Sequence, residues 1–467
     1  MRSVKEMAHQ TLSLKHDAAH PEVFDMSDPG TGKTYVRCKA YERRRKKKAR
    51  CLLVLCPRSL MRSAWFNDFA KFAPALKVVI ATAANRDTAF AEQADVYVTN
   101  HDAVKELAKK PKAFWSRFSD LVIDESDAYK HHTSQRSKAV AKIVKHFERR
   151  ALLSATPNGN TIADIWHQVF LLDGGKLLGS SFYAFRQSVC EPKQVTNNPN
   201  AIRWTDKDGA EEAVFGLINE IVVRHRFEDC VDIPKTHIYT VEYQLTPKQQ
   251  KIYDEMEFAQ IALLAKTPIT AINAAAVTTK LLQISSGAVY DSEDKYHLVD
   301  TGRYELLMDL AQARKHPLML FFWKHQRDLL VKEAEKRDMK YAVLDGNTND
   351  RERNEIVQRY QAGQYDVLLG HPKTVSYGYT LTKGTSIIWP CPTYDGTWWT
   401  QANKRQARIG QTEKTEVVVV LAPTTKEAQV YDICTTKDKR AKTLLSLFES
   451  TTPMTLATRT ARALEGL

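Results

Sequence analysis

The sequence predicts an α/β fold class: two parallel-sheet domains in tandem with a helical insertion and linker between them. Three observations carry this reading. Short runs of β-branched residues and leucine recur through the first third, most of them separated by a polar or amphipathic segment of helical length. The same alternation returns in the last third. Between the two series the strand rhythm fails and helical spacing takes over. Apolar strands alternating with helical segments imply a parallel sheet covered on both faces.

In chain order, the first series is Val23–Met26, Leu52–Leu55, Val78–Ile80, Val96–Val98, Leu121–Ile123 and Ala151–Leu153. In residues 249–265, Ile252, Tyr253, Met256, Ala259 and Leu263 fall at spacings of one, three and four, an apolar stripe on a helix. Residues 190–210 are polar and rich in turn formers, which predicts a protruding loop or hairpin. The second series is Leu318–Phe322, Tyr341–Leu344, Val367–Leu369, Ser386–Trp389 and Val417–Leu421. The expected division is residues 1–175 for the first domain, 176–298 for the insertion and linker, and 299–467 for the second domain. A length of 467 residues suits three units at ~150 residues each.

Composition narrows the function classes. Hydrophobic residues make up 43%, enough for cores, and charged residues 26%, so the chain reads as soluble and globular. No apolar run approaches the ~20 residues of a membrane span, and the N-terminus leads into no apolar signal core. The expected location is the cytoplasm, of a bacterial cell or a phage-infected host. Seven scattered cysteines, never spaced C-x-x-C, argue against a disulfide framework or a zinc knuckle. His131-His132, the one histidine pair, reads as part of a polar loop and not as a metal site. A net charge of +13 suits a polyanionic partner.

Two distant fragments carry the chemistry. Ser27-Asp28-Pro29-Gly30-Thr31-Gly32-Lys33-Thr34 follows a strand and opens a helix. Gly30 and Gly32 let backbone amides close on phosphates, Lys33 supplies a point charge, and Thr34 offers a hydroxyl to Mg²⁺. About ninety residues on, Asp124 and Glu125 end an apolar strand. There Asp124 would hold Mg²⁺, and Glu125 would orient and deprotonate the attacking water. Ser154-Ala155-Thr156-Pro157 follows the next strand, as a γ-phosphate sensor or a plain turn. The second fragment runs from Gln401 to Gln411, with Arg405 and Arg408 three apart on one expected helical face. Such arginines can stabilise a transferring phosphoryl group; the alternative is a basic surface helix.

The order of these motifs resembles that of superfamily II helicases, and more narrowly the Swi/Snf-type, remodeller-like DNA translocases in their short bacterial and phage form. The likeness covers nearly the whole chain. It implies two RecA-like domains, with ATP and Mg²⁺ in a cleft between them. Gln10 stands where that family reads adenine, and Pro29–Thr34, Gly378 and Gln401 fall in its nucleotide-binding motifs. Leu52–Leu60 with Trp65, and Val98–His101, resemble its first two DNA-contact motifs. His371–Thr374 with Ser376, Gly378 and Leu381 resembles a later motif. Three departures stand out: Asp127 replaces the usual histidine of the acidic motif, Ser154-Ala155-Thr156 resembles the wider helicase pattern more than the remodeller one, and Thr380 stands where asparagine is usual.

The DNA-contact candidates are polar groups in loops at the strand ends: Arg58, Thr99, Asn100, Lys324, Lys373 and Thr374. Contacts of that kind hold phosphates without reading bases. The basic run Arg43–Lys48 reads first as a solvated helix face and second as a phosphate patch. Trp398-Trp399 reads as packing at the domain edge, with base stacking as the alternative. The expected function is a monomeric DNA-dependent ATPase that moves along DNA in replication, recombination or repair, alone or with proteins of those processes. An RNA helicase and a nucleotide-gated clamp without turnover are the alternatives.

Overall fold

A computed structural model describes residues 6–47, 50–155, 161–194, 202–230, 233–266, 271–375, 379–393, 395–408 and 410–446. The chain divides into two compact units, Met1–Asp232 with Lys439–Leu467, and Ile233–Asp438. Among the described residues no helix is long and apolar enough to cross a membrane. Gly378, Ser376, Thr156, Pro157 and Lys48 lie outside the described residues, as do the side chains of Ala259 and Leu263.

The first unit contains β1 (Glu22–Asp25), β2 (Cys51–Cys56), β3 (Val78–Ala81), β4 (Val96–Asn100), β5 (Phe118–Asp124) and β6 (Arg149–Leu153). It continues with β7 (Cys190–Gln194), β8 (Ile202–Asp206) and β9 (Val222–Val223). A parallel sheet of seven strands runs in the order β3-β4-β2-β5-β6-β1-β9. Leu52 to Cys56 are all wholly buried, as expected of a central strand covered on both faces; each such leucine or valine contributes about 1.5–3 kcal/mol. β7 and β8 form the expected hairpin, an antiparallel pair. The helices α1 (Ala8–Ala19) and α2 (Lys33–Lys46) flank β1 in sequence.

The second unit contains β10 (His237–Glu242), the antiparallel pair β11 (Ala288–Tyr290) and β12 (Tyr296–Leu298), and β13 (Leu318–Leu320). β14 (Tyr341–Leu344), β15 (Val367–Gly370), β16 (Ser386–Trp389) and β17 (Glu416–Leu421) complete it. Its main sheet is parallel throughout, in the order β10-β17-β16-β13-β15-β14. Val417 and Val419 join one apolar cluster while Val418 and Val420 join another, so both faces of β17 are buried. The two units are thus tandem RecA-like domains.

The stretch 176–298 differs from the single helical insertion expected. β9 belongs to the first sheet and β10 to the second, and the boundary between the units falls at Asp232 and Ile233. β9 is two residues long, and β10 is an exposed edge strand of mixed polarity, so neither gives a run of apolar residues. The helices Pro247–Lys266 and Ala271–Ser285 do form, within the second unit. Tyr253 packs there with Leu281 and Ile284 beside Ile252 and Met256, which is the part of the expected stripe that falls on described side chains.

One buried ion pair organises the second unit. Arg303 and Glu427, both almost wholly buried, meet at 2.9 Å. Glu427 also accepts the Ser285 hydroxyl (2.6 Å) and the Ala422 N–H (2.7 Å), and Arg303 donates to the Pro390 carbonyl (3.0 Å). Arg303→Met strands a buried carboxylate, so it should destabilise the unit by about 3–5 kcal/mol. Adding Glu427→Met should recover part of that loss. Denaturant unfolding of the full chain measures both; a neutral single substitution would refute the account.

Candidate active site

The phosphate loop is shaped by what surrounds it. β1 ends at Asp25, whose carboxylate accepts the Ser27 N–H at 3.0 Å. Gly30 and Gly32 have φ of 91° and 85°, left-handed values that favour glycine. A Cβ on Gly30 would lie 2.9 Å from the Phe227 ring, and one on Gly32 would lie 2.5 Å from Gln10 Nε2. α2 begins at Lys33, so Lys33 and Thr34 form its first turn, where unsatisfied N–H groups and the helix dipole favour an anion. Lys33 Nζ donates to the Ser27 and Asp28 carbonyls. Thr31 is buried, and its carbonyl meets His9 Nε2 at 2.7 Å and Gln10 Nε2 at 3.5 Å. The Met7 N–H fixes the other end of the Gln10 amide (3.0 Å). Gln10 therefore stands beside Pro29–Thr34.

The sheet order brings the acidic pair to the same place. β6 lies between β1 and β5, and Leu153 pairs with both Asp25 and Asp124. The phosphate loop and the Asp124–Glu125 pair thus leave one end of the sheet on either side of Ser154. Asp124 Oδ2 accepts the Trp65 Nε1–H (2.9 Å) and Oδ1 accepts the Glu125 N–H (3.1 Å). Burial pushes the Asp124 carboxyl above its usual range, against the Trp65 hydrogen bond and the Lys33 charge. The buried Asp124 carboxylate and the hydroxyl of Thr34, in the first turn of α2, are oxygen ligands of the kind a hard cation such as Mg²⁺ takes. Glu125 is half-buried with φ 52° and ψ 57°, a left-handed conformation costing of order 1–3 kcal/mol for a non-glycine residue. Asp127 lies in the short turn Ser126–Tyr129, tied by the Ser126 hydroxyl to Gln168 (2.7 Å).

The second fragment departs from expectation. The helix Gly396–Asn403 stops before the arginines, so Arg405 and Arg408 do not share a helical face. Arg405 N–H bonds the Ala402 carbonyl while its Nε takes the Gln401 carbonyl (3.0 Å), which turns the chain out of the helix. Gln411 Nε2 holds the turn through the carbonyls of Thr382, Gly384 and Gln406. Arg405 is buried and also reaches the Tyr379 carbonyl (3.3 Å). Arg408 is half-buried, with Nε on the Lys404 carbonyl (3.1 Å) and Nη1 near the Thr380 hydroxyl (3.4 Å). Thr380 thus meets Arg408 where an asparagine was expected. Gln401 Oε1 is buried without a hydrogen-bond partner among the described residues, an acceptor free for a ligand.

The nucleic-acid candidates separate. Arg58 is exposed just beyond β2, and Asn100 ends β4; Cys56 pairs with Asn100, so they leave neighbouring strand ends. Lys324 and Lys373 are exposed, with Thr374 half-buried, beyond the neighbouring ends of β13 and β15. Lys324 meets Asp294 at 2.8 Å, a solvent-screened pair. Thr99 is a correction: its side chain is wholly buried and its hydroxyl donates to the Ala81 carbonyl (2.7 Å), so it presents nothing to a phosphate. The basic run is largely paired within the unit, Arg43 with Glu6, Arg44 with Asp17 and Asp120, and Arg45 with Asp95. Trp399 is buried against Trp389 and Trp398 stacks near Phe322, so both pack. Trp65 is the functional residue that motif reading misplaced: it is wholly buried on Asp124, 59 residues away.

Residues 25–317 match the SNF2-related domain family, and residues 302–410 match the helicase conserved C-terminal domain family. Protein p41 of Acyrthosiphon pisum secondary endosymbiont phage 1 is 25% identical, over 78% of this chain and 79% of that protein. An uncharacterized ATP-dependent helicase of Mycoplasma genitalium is 23% identical, over 84% of this chain and 37% of its own length. The SWI/SNF-related matrix-associated actin-dependent regulator of chromatin subfamily A-like protein 1 of Xenopus tropicalis is 23% identical, over 88% and 42%. The chain therefore spans less than half the length of the latter two relatives. A solved SWI2/SNF2 ATPase core of Sulfolobus solfataricus, in complex with double-stranded DNA, is 20% identical, with a TM-score of 0.43 over 96% of each chain.

Proposed function

The chain belongs to the SNF2-related family of ATP-dependent enzymes, and from that premise we propose a DNA-stimulated ATPase that moves along DNA. The observation that carries it is the placement of the phosphate loop and the Asp124–Glu125 pair on either side of Ser154, at one end of the first sheet. In this reading Lys33, the α2 N-terminus and Thr34 hold the triphosphate, and Gln10 meets the adenine. Mg²⁺, held by Thr34 and Asp124, would neutralise charge on the phosphates when bound. Glu125 takes the proton of the attacking water. Arg405 and Arg408 supply cationic charge from the second unit, so turnover requires groups from both. ATP binding and hydrolysis then favour different arrangements of the units, and alternating grip on DNA becomes stepping.

DNA is supported as the track by the net charge of +13 and by cationic or polar groups at neighbouring strand ends of each sheet. Such contacts are independent of base sequence. The test is phosphate release from ATP with duplex DNA, single-stranded DNA, forked DNA and RNA. DNA should stimulate turnover, with a response that weakens as salt rises. Stronger stimulation by RNA would replace this reading with an RNA helicase, and binding without turnover on any substrate would replace it with a nucleotide-gated clamp.

A further inference from the structure

The phosphate loop is held from behind by a segment outside the assigned nucleotide motifs. Beyond β9 the chain continues alongside the loop. Met26 N–H donates to the Val223 carbonyl (2.8 Å), Asp28 N–H to the His225 carbonyl (2.9 Å), and His225 N–H to the Ser27 hydroxyl (3.1 Å). Asp28 lies within the loop, and its carboxylate is gripped on both oxygens: Arg224 Nη1 on one (2.9 Å) and the Phe227 N–H on the other (3.1 Å). The Arg224 side chain is 5% exposed, and its Nη1 also reaches the Met26 carbonyl (3.0 Å). The Phe227 ring occupies the space beside Gly30.

We propose that Arg224 is a positioning residue for nucleotide binding, acting through Asp28 with Phe227 as the second arm of a clamp. The inference rests on the ATP-site reading above. A carboxylate inside a loop that accepts a triphosphate repels it unless a cation offsets its charge. Arg224 supplies that charge from the rear, and this compensation sets the affinity, because an amide oxygen at position 28 could still accept the Phe227 N–H. The Ser27 hydroxyl has a matching part, because it accepts the His225 N–H that would otherwise lack this partner.

The test uses the full chain, Mg²⁺ and an ATP analogue carrying a fluorescent methylanthraniloyl group, with affinity read by anisotropy. Arg224→Ala should weaken binding about tenfold or more and raise KM for ATP much further than it lowers kcat. Arg224→Lys, which keeps the charge, should recover part of the affinity. Adding Asp28→Asn to Arg224→Ala should restore most of it, because the uncompensated charge is gone; a merely structural role predicts no such rescue. Unchanged affinity in Arg224→Ala, or a double variant weaker than the single, would overturn the clamp. Should Arg224→Ala fail to fold, Asp28→Asn alone decides: binding at least as tight as wild type supports the clamp, and a tenfold loss refutes it. If the wild-type protein binds the analogue without hydrolysing ATP, the ATPase reading fails while these affinities still decide the clamp. If it binds no nucleotide, both fail.

Discussion

Glu125→Gln should lower ATP turnover by about 10³-fold and leave ATP binding in place. The side chain keeps its size, so the half-buried site next to Asp124 is not remodelled, but the amide no longer accepts the water's proton. General-base removal typically costs 10²–10⁴-fold, and a fall in kcat of about 10³-fold is expected. The affinity for ATP should stay within about threefold, since the phosphate loop and Lys33 are untouched. Lys33→Ala should do the reverse, weakening nucleotide binding first, because it removes the cation at the start of α2. Glu125→Gly separates chemistry from strain: at φ 52° glycine pays no steric penalty, so stability should be kept or raised while turnover is lost. Phosphate release and analogue binding by the three variants decide the matter. Wild-type turnover in Glu125→Gln would remove the carboxylate from its assigned role.

What could be read from the sequence divides by the distance over which each signal acts. The central strands of both sheets announce themselves because burial on two faces demands an uninterrupted apolar run, as in Leu52–Leu55 and Val417–Leu421. The phosphate loop is also local, a strand, two glycines and a helix start within a dozen residues. The supports of that site are not local. Trp65 on Asp124, and Arg224 and His225 on the loop, are contacts across long stretches of chain between residue types that suit many other settings. Thr99 misleads for a related reason: a polar residue at a strand end looks available until the Ala81 carbonyl of the neighbouring strand is in place. β10 escapes notice because an exposed edge strand needs no apolar pattern. The spacing of Arg405 and Arg408 fits a helix, yet Gln411 and the backbone around Thr382–Gly384 bend the chain away from one. Ser27 likewise gives no local hint that its hydroxyl accepts the His225 N–H from far along the chain.

The bend gives the two arginines different duties, and alanine at each position should expose them. Arg408 is half-buried at the surface of the second unit, where its guanidinium is held by the Lys404 carbonyl and lies near the Thr380 hydroxyl. A charge so placed is most useful when negative charge develops on the phosphoryl group, so Arg408→Ala should lower kcat by about 10³-fold with ATP affinity nearly unchanged. Arg408→Lys should recover little, because an ammonium does not reproduce the two-pronged geometry of guanidinium. Arg405 is 3% exposed and braces the Gln401 and Tyr379 carbonyls. Its truncation leaves buried acceptors unpaired, so Arg405→Ala should lose turnover and also about 1–3 kcal/mol of stability. Single-turnover hydrolysis at saturating ATP, set beside denaturant unfolding of the same variants, separates the effects. If Arg408→Ala hydrolyses ATP like wild type, the second unit contributes no charge to the reaction through that residue, and the case for turnover shared by both units then rests on Arg405 alone.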